Sequence, residues 1–107
     1  MSSTFRVALC TVALVVSVTA SAVAQDAILA SARQLRAAGE NEAAASLLEN
    51  AIERDGQGPA LLGELGLAEV ALERWAAATE HLRLALDSPG DPYVAQRLDE
   101  LQRALAT

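Results

Sequence analysis

The chain has no lysine: all eight of its basic residues are arginines. It has one cysteine (Cys10), one histidine (His81) and three aromatic residues (Phe5, Trp75 and Tyr93). A single cysteine excludes an intrachain disulfide. A single histidine with no second thiol or imidazole excludes a typical zinc site. Fourteen acidic residues leave a formal net charge of -6, which repels phosphate backbones and argues against nucleic-acid binding. No phosphate loop, nucleophile elbow or metal-ligand motif is present, so neither catalytic nor metal-ligating residues are assigned. No cofactor is expected, and the chain does not read as an enzyme.

What is present is alanine and leucine. β-Branched residues concentrate between Thr4 and Val23, and the balance elsewhere favours helix. Met1 to Ala24 reads as a targeting segment. Arg6 gives a positive start, Val7 to Ala20 is uncharged and apolar, and Ala22-Val23-Ala24 places small residues where a signal peptidase cleaves. The expected mature start is Gln25, in a periplasmic or secreted protein. The rival reading is a retained membrane anchor, since Val7 to Ala24 is just long enough to span a bilayer. Cleavage would remove Cys10 and leave a mature chain stabilised by helix packing alone.

Beyond that segment, apolar spacing and turn residues mark five helices. Asp26 to Ala38 carries Ile28, Leu29, Ala32 and Leu35 at helical spacing, with Asp26 as the expected N-cap and Gly39 as terminator. Asn41 is the expected cap of a second helix ending near Arg54, followed by the loop Asp55-Gly56-Gln57-Gly58. Pro59 opens a third helix to about Leu72. A fourth runs from Arg74 or Trp75 to about Asp87. After Ser88-Pro89-Gly90-Asp91-Pro92, a fifth runs from Tyr93 to Ala106. Nothing in the mature chain alternates as a strand does. Short loops make paired helices antiparallel neighbours.

Two stretches superpose at one constant offset. Ala32 aligns with Gly66, Ala44 with Ala78, Leu48 with Leu82, Ala51 with Ala85, and Ile52 with Leu86. A fixed period of about 34 residues is the mark of stacked helix-turn-helix units, each too small to bury its own apolar face. Such arrays bind other chains and rarely perform chemistry.

These residues resemble the tetratricopeptide repeat. Ala44-Leu48-Ala51 and Ala78-Leu82-Ala85 match the small–large–small pattern of that family's helix B. Leu65-Gly66 matches its Leu-Gly pair in helix A, and Trp75 its aromatic at the elbow. The resemblance covers residues 25–92 as two repeats, 25–58 and 59–92, with residues 93–107 as a capping helix. Ser31 and Glu69 depart from the family's large apolar and aromatic preferences. The implied fold is an all-α, α-α superhelix of two tetratricopeptide repeats with a C-terminal cap, preceded by a signal peptide.

In such arrays the A helices line a concave groove that binds proteins or peptides. Carried over by position, the resemblance implies a groove lined by Leu29, Arg33, Arg36, Gly63, Leu67 and Val70, with Glu64 on the same wall. Leu67 and Val70 are either an open apolar patch or the second packed face of a central helix. Arg33 and Arg36 share a helix face and could clamp a partner's carboxylate. The competing arrangement is internal pairing, of Arg36 with Glu40 or of Arg33 with Glu64. His81 reads as a partly exposed helix residue, Trp75 as elbow packing, and Glu40, Glu42, Asp99 and Glu100 as solvated faces. The expectation is a protein–protein interaction adaptor or assembly factor in the bacterial periplasm. The alternative is a membrane-anchored or self-associating structural subunit, including a homodimer.

Overall fold

The computed structural model describes residues 23–107. Arg6, Cys10 and all but the last two positions of the expected targeting segment lie outside this range. The described chain is all-helical: α1 (23–37), α2 (Asn41–Asp55), α3 (Pro59–Ala71), α4 (Trp75–Leu86), α5 (Pro92–Gln96) and α6 (Leu98–Ala106). No strand occurs among the described residues.

The first helix already includes Val23 and Ala24, so Asp26 is inside it and is not its N-cap. The stretch from Val23 to Ala38 holds neither proline nor glycine, and nothing in it breaks an alanine-rich helix. Its C-terminus is where glycine places it. Gly39 adopts φ +82°, its N–H reaches Arg36 C=O, and Glu40 N–H reaches Leu35 C=O at 2.8 Å. That pair of bonds is a Schellman cap, and the left-handed residue it needs is cheapest as glycine. The cap of α2 falls on Glu40, which supplies no side-chain hydrogen bond. Asn41 is therefore the first helical residue and not the cap.

The same elbow recurs one period later. Glu73, the counterpart of Gly39 in the second unit, takes φ +61°. Glu73 N–H reaches Val70 C=O, and Arg74 N–H reaches Glu69 C=O at 2.9 Å. The two residues that open the second helix of each pair match closely: Glu40 at φ −88°, ψ 61° and Arg74 at φ −88°, ψ 68°. Pro59 opens α3 as expected.

The fifth expected helix is two. Asp91 caps α5, its carboxylate accepting the N–H groups of Tyr93 and Val94, and Pro92 occupies the first turn. The helix then breaks at Arg97, whose backbone leaves helical values (φ −117°, ψ 17°) before α6 resumes. The break lets both short helices bury a residue, Val94 from α5 and Leu101 from α6. It also turns the Arg97 guanidinium toward Glu64 and Glu100.

Every residue from Ala60 to Glu69 is buried, because α3 packs on two sides. One core gathers Leu29 and Ala32 of α1, Ala44, Leu48 and Ala51 of α2, and Leu61, Leu65 and Ala68 of α3. The other gathers Leu67 of α3, Leu82 of α4, Val94 of α5 and Leu101 of α6. Leu67 is thus 7% exposed and is not an open patch; Val70 packs against the same cluster. Burying one such leucine contributes about 1.5–3 kcal/mol. Gly66 sits where α3 and α4 come closest. A Cβ built there would stand 2.6 Å from Leu82 Cγ, so glycine is what permits this spacing.

Candidate functional site

The most concentrated chemistry lies around Glu64, fully buried in the middle of α3. A carboxylate there is costly unless every oxygen is paired. Arg33 Nε donates to Oε1 at 2.9 Å and Arg36 Nη2 to Oε2 at 3.0 Å. Both donors come from α1, one helical turn apart on one face. From the helix break, Arg97 adds a third charge 3.7 Å from Oε1, and it also pairs with Glu100 at 3.0 Å. Arg36 lies 3.9 Å from Glu100 as well. Arg36 therefore turns inward to Glu64 and does not pair with Glu40. Arg33 does pair with Glu64.

Tyr93 completes the cluster. The guanidinium carbons of Arg33 and Arg97 lie 6.0 and 5.6 Å from its ring centroid, within cation–π range. The ring covers Gly63, where a Cβ would meet Tyr93 Cε1 at 2.6 Å. Its hydroxyl is buried and has no hydrogen-bond partner of sound geometry among the described residues. Burial pushes the phenol well above its ordinary pKa, the Glu64 carboxylate pushes it further, and the Arg97 charge opposes both.

Of the six residues carried over as a groove lining, Leu29 and Leu67 are core, and Gly63 is buried and faces Tyr93. Arg33, Arg36 and Val70 keep access to solvent. A continuous apolar groove is therefore absent from this face among the described residues. Arg33 and Arg36 instead line a concavity of about 320 Å³, with Ala37, Asn41 and Ala71 as the other walls. Val70 belongs to a different cleft of about 330 Å³ between α4 and α6, walled also by Trp75, Leu82, Arg83 and Leu105. Trp75 is 47% exposed on that cleft and does not fill the elbow.

Two further polar contacts were not legible as pairs. Glu69 of α3 is 3% exposed, and His81 Nδ1 of α4 lies 2.6 Å from its Oε1, the geometry of an N–H donating to a carboxylate. An aromatic is expected at Glu69 by resemblance. Here a carboxylate takes the place, and the histidine one helix away satisfies it. Arg74 Nη2 donates to both Glu42 oxygens at 2.8 and 2.6 Å, tying the elbow of the second pair to α2. The Glu42 hydrogen bond raises the Arg74 pKa above its already high value. Glu42 and Glu100 are therefore engaged and not merely solvated. The signal for the two buried carboxylates is a polar residue at a helix position whose neighbours are apolar; Glu64 and Glu69 both show it.

Among the described residues no group of three or more potential metal ligands gathers. In the same range no helix is long and apolar enough to cross a membrane. No family model, curated protein or solved structure matches the chain.

Proposed function

We propose that residues 25–107 form a two-unit helical repeat of tetratricopeptide type that acts after export as a protein–protein interaction adaptor or assembly factor in the bacterial periplasm. The observation that carries this reading is the elbow. Gly39-Glu40 and Glu73-Arg74, one repeat period apart, share one backbone conformation and one hydrogen-bond pattern. The small–large–small triplets of α2 and α4 are buried in both units. Cleavage after Ala24 is compatible with the packing. Val23 and Ala24 are exposed, and the first buried residue of α1 is Leu29.

The accessible remainder of the carried-over lining is Arg33, Arg36 and Val70, and Val70 lies in a separate cleft, so the proposed contact is polar, made through Arg33 and Arg36 and not through an apolar stripe. The test has two parts. Intact mass spectrometry of the chain from a native envelope fraction should give a start at Gln25. Chemical crosslinking in the same fraction should then yield a defined partner whose crosslinks map to the α1 face. A chain that yields no crosslinked partner in its own compartment overturns the adaptor reading.

A further inference from the structure

We propose that α6 and the cleft it forms with α4 are a self-complementary face, on which two copies of this chain pair about a two-fold axis with their α6 helices antiparallel. Among the described residues the exposed large apolar side chains are Val23, Trp75, Leu84 and Leu98, and all but the first lie on α4 and α6. Trp75 stands on the wall of the α4–α6 cleft, beside Val70 and Leu105. Leu98, 38% exposed, opens α6. One chain thus presents an apolar hole at one end of α6 and an apolar knob at the other.

The charges on this face are matched in the same way. Arg33, Arg36, Arg54, Arg74 and Arg97 each pair with an acid. Arg83 and Arg103 pair with no carboxylate among the described residues. Arg83 is exposed and lines the cleft at the C-terminal end of α6, together with Ala106 and Thr107. Asp99, in the first turn of α6, is exposed, and its carboxylate is equally unpaired among the described residues; Arg103 Nε reaches only its backbone oxygen. An unpaired cation therefore lies beside the hole, and an unpaired anion beside the knob.

A two-fold axis brings these halves together twice. Asp99, Gln102, Arg103 and Ala106 form one stripe along α6 and line an open concavity of about 410 Å³. Ala106 also belongs to the cleft, so the stripe runs into it. From Asp99 to Ala106 the helix advances roughly 10 Å. With the axis passing between Gln102 and Arg103, Asp99 of one copy comes opposite Ala106 of the other, next to that copy's Arg83. Leu98, one residue earlier, then enters the cleft beside the other copy's Trp75. Such a contact is isologous and closes at two. A foreign helix would need an apolar residue followed directly by an acid; the chain's own α6 already carries that pair. The α1 face is left uncovered, so partner capture there is tested separately.

Sedimentation of the full chain as recovered after export, from low micromolar to near-millimolar concentration, should show a monomer–dimer equilibrium. Trp75 is the sole tryptophan, so its emission reports the cleft alone. It should move to shorter wavelength in step with the dimer fraction, as Leu98 of the second copy covers the ring. A chain that stays monomeric throughout overturns the proposal. Growth beyond two copies overturns the closed two-fold, and a dimer that leaves the Trp75 emission unmoved places the contact elsewhere.

Charge reversal then fixes the register. Arg83→Glu or Asp99→Arg alone sets like charges face to face at both ends of the pair and should raise the dimer dissociation constant by on the order of tenfold or more. Both positions are exposed, so helix content on circular dichroism should be retained. The double variant Arg83→Glu with Asp99→Arg restores opposite charges across the axis and should recover most of the lost affinity. Single variants that dimerise as the parent does, or a double variant no tighter than the singles, overturn the proposal.

Discussion

Gly66→Ala tests how closely α3 and α4 are packed. The new methyl would stand 2.6 and 2.7 Å from Leu82 Cγ and Cδ2 and 3.4 Å from the Leu82 backbone nitrogen. Carbon contacts are comfortable at about 3.5–4.0 Å, so the overlap approaches an ångström. Leu82 cannot swing away, because it is fully buried and packs in the cluster that includes Leu67, Val94 and Leu101. Overpacking of this kind costs about 1–3 kcal/mol. Alanine's better helix propensity returns up to about 1 kcal/mol.

The net expectation for Gly66→Ala is a loss of up to about 2 kcal/mol. In a domain of this size each kcal/mol lowers the melting temperature by roughly 4–8 °C. The first unit supplies the counter-argument, since it carries Ala32 at the equivalent position, fully buried in one core with Leu48. If the second unit can relax to that spacing, the cost vanishes. The structure opposes such relaxation, because α6 packs on α4 and the His81–Glu69 bond ties α4 to α3. Thermal melting followed by circular dichroism measures the effect, and a Leu82→Val background, which trims the opposing side chain, should reduce it. A Gly66→Ala protein that melts at or above the parent temperature refutes the close approach and this account of why glycine is there.

Glu73→Gly should stabilise the protein by about 1 kcal/mol, because it removes the cost of a left-handed L-residue at a helix terminus; a denaturant midpoint that falls contradicts the φ of +61°. Leu67→Glu should unfold the second core, because it places an unpaired carboxylate among Leu82, Val94 and Leu101; retained helix content on circular dichroism would return Leu67 to the surface. Tyr93 is the sole tyrosine, and its pKa is raised on folding from an ordinary value of 10.0. The unfolded chain therefore loses this proton first, and stability that is intact below that ordinary value falls as pH rises beyond it. Urea denaturation at stepped alkaline pH should show that decline, Tyr93→Phe should flatten it, and an equal slope in the variant would assign it elsewhere.

The helix order was legible because the breakers are local. Gly39, the Gly56–Gly58 loop, Pro59 and Pro92 act on their own backbone, and the apolar spacing between them needs no knowledge of the fold. The break at Arg97 was not legible. No glycine or proline marks it, and its causes lie at Glu64 and Leu101, the first of them in a helix far back along the chain. The burial of Leu67 was one of two readings that the crowded apolar pattern of α3 left open. Deciding between them requires knowing that α5 and α6 fold back on that face. Arg33 and Arg36 were legible as a pair on one helix face, but their shared inward partner could not be fixed. The competing arrangement split them between Glu64 and Glu40, and only the packing of α1 on α3 brings both guanidinium groups to one carboxylate.

In a repeat array each unit touches only its neighbours, and an end can fray while the rest stays folded. The Glu64 cluster works against that independence. Its carboxylate is held from α1 on one side and from Arg97, between α5 and α6, on the other. Detaching either end strips charge partners from an acid that remains enclosed by the other. Partial opening is therefore penalised at both ends by the same buried atom pair. Hydrogen exchange should then report α1 and α6 opening with nearly the same free energy as α3, as one cooperative unit instead of a ladder of separate ones.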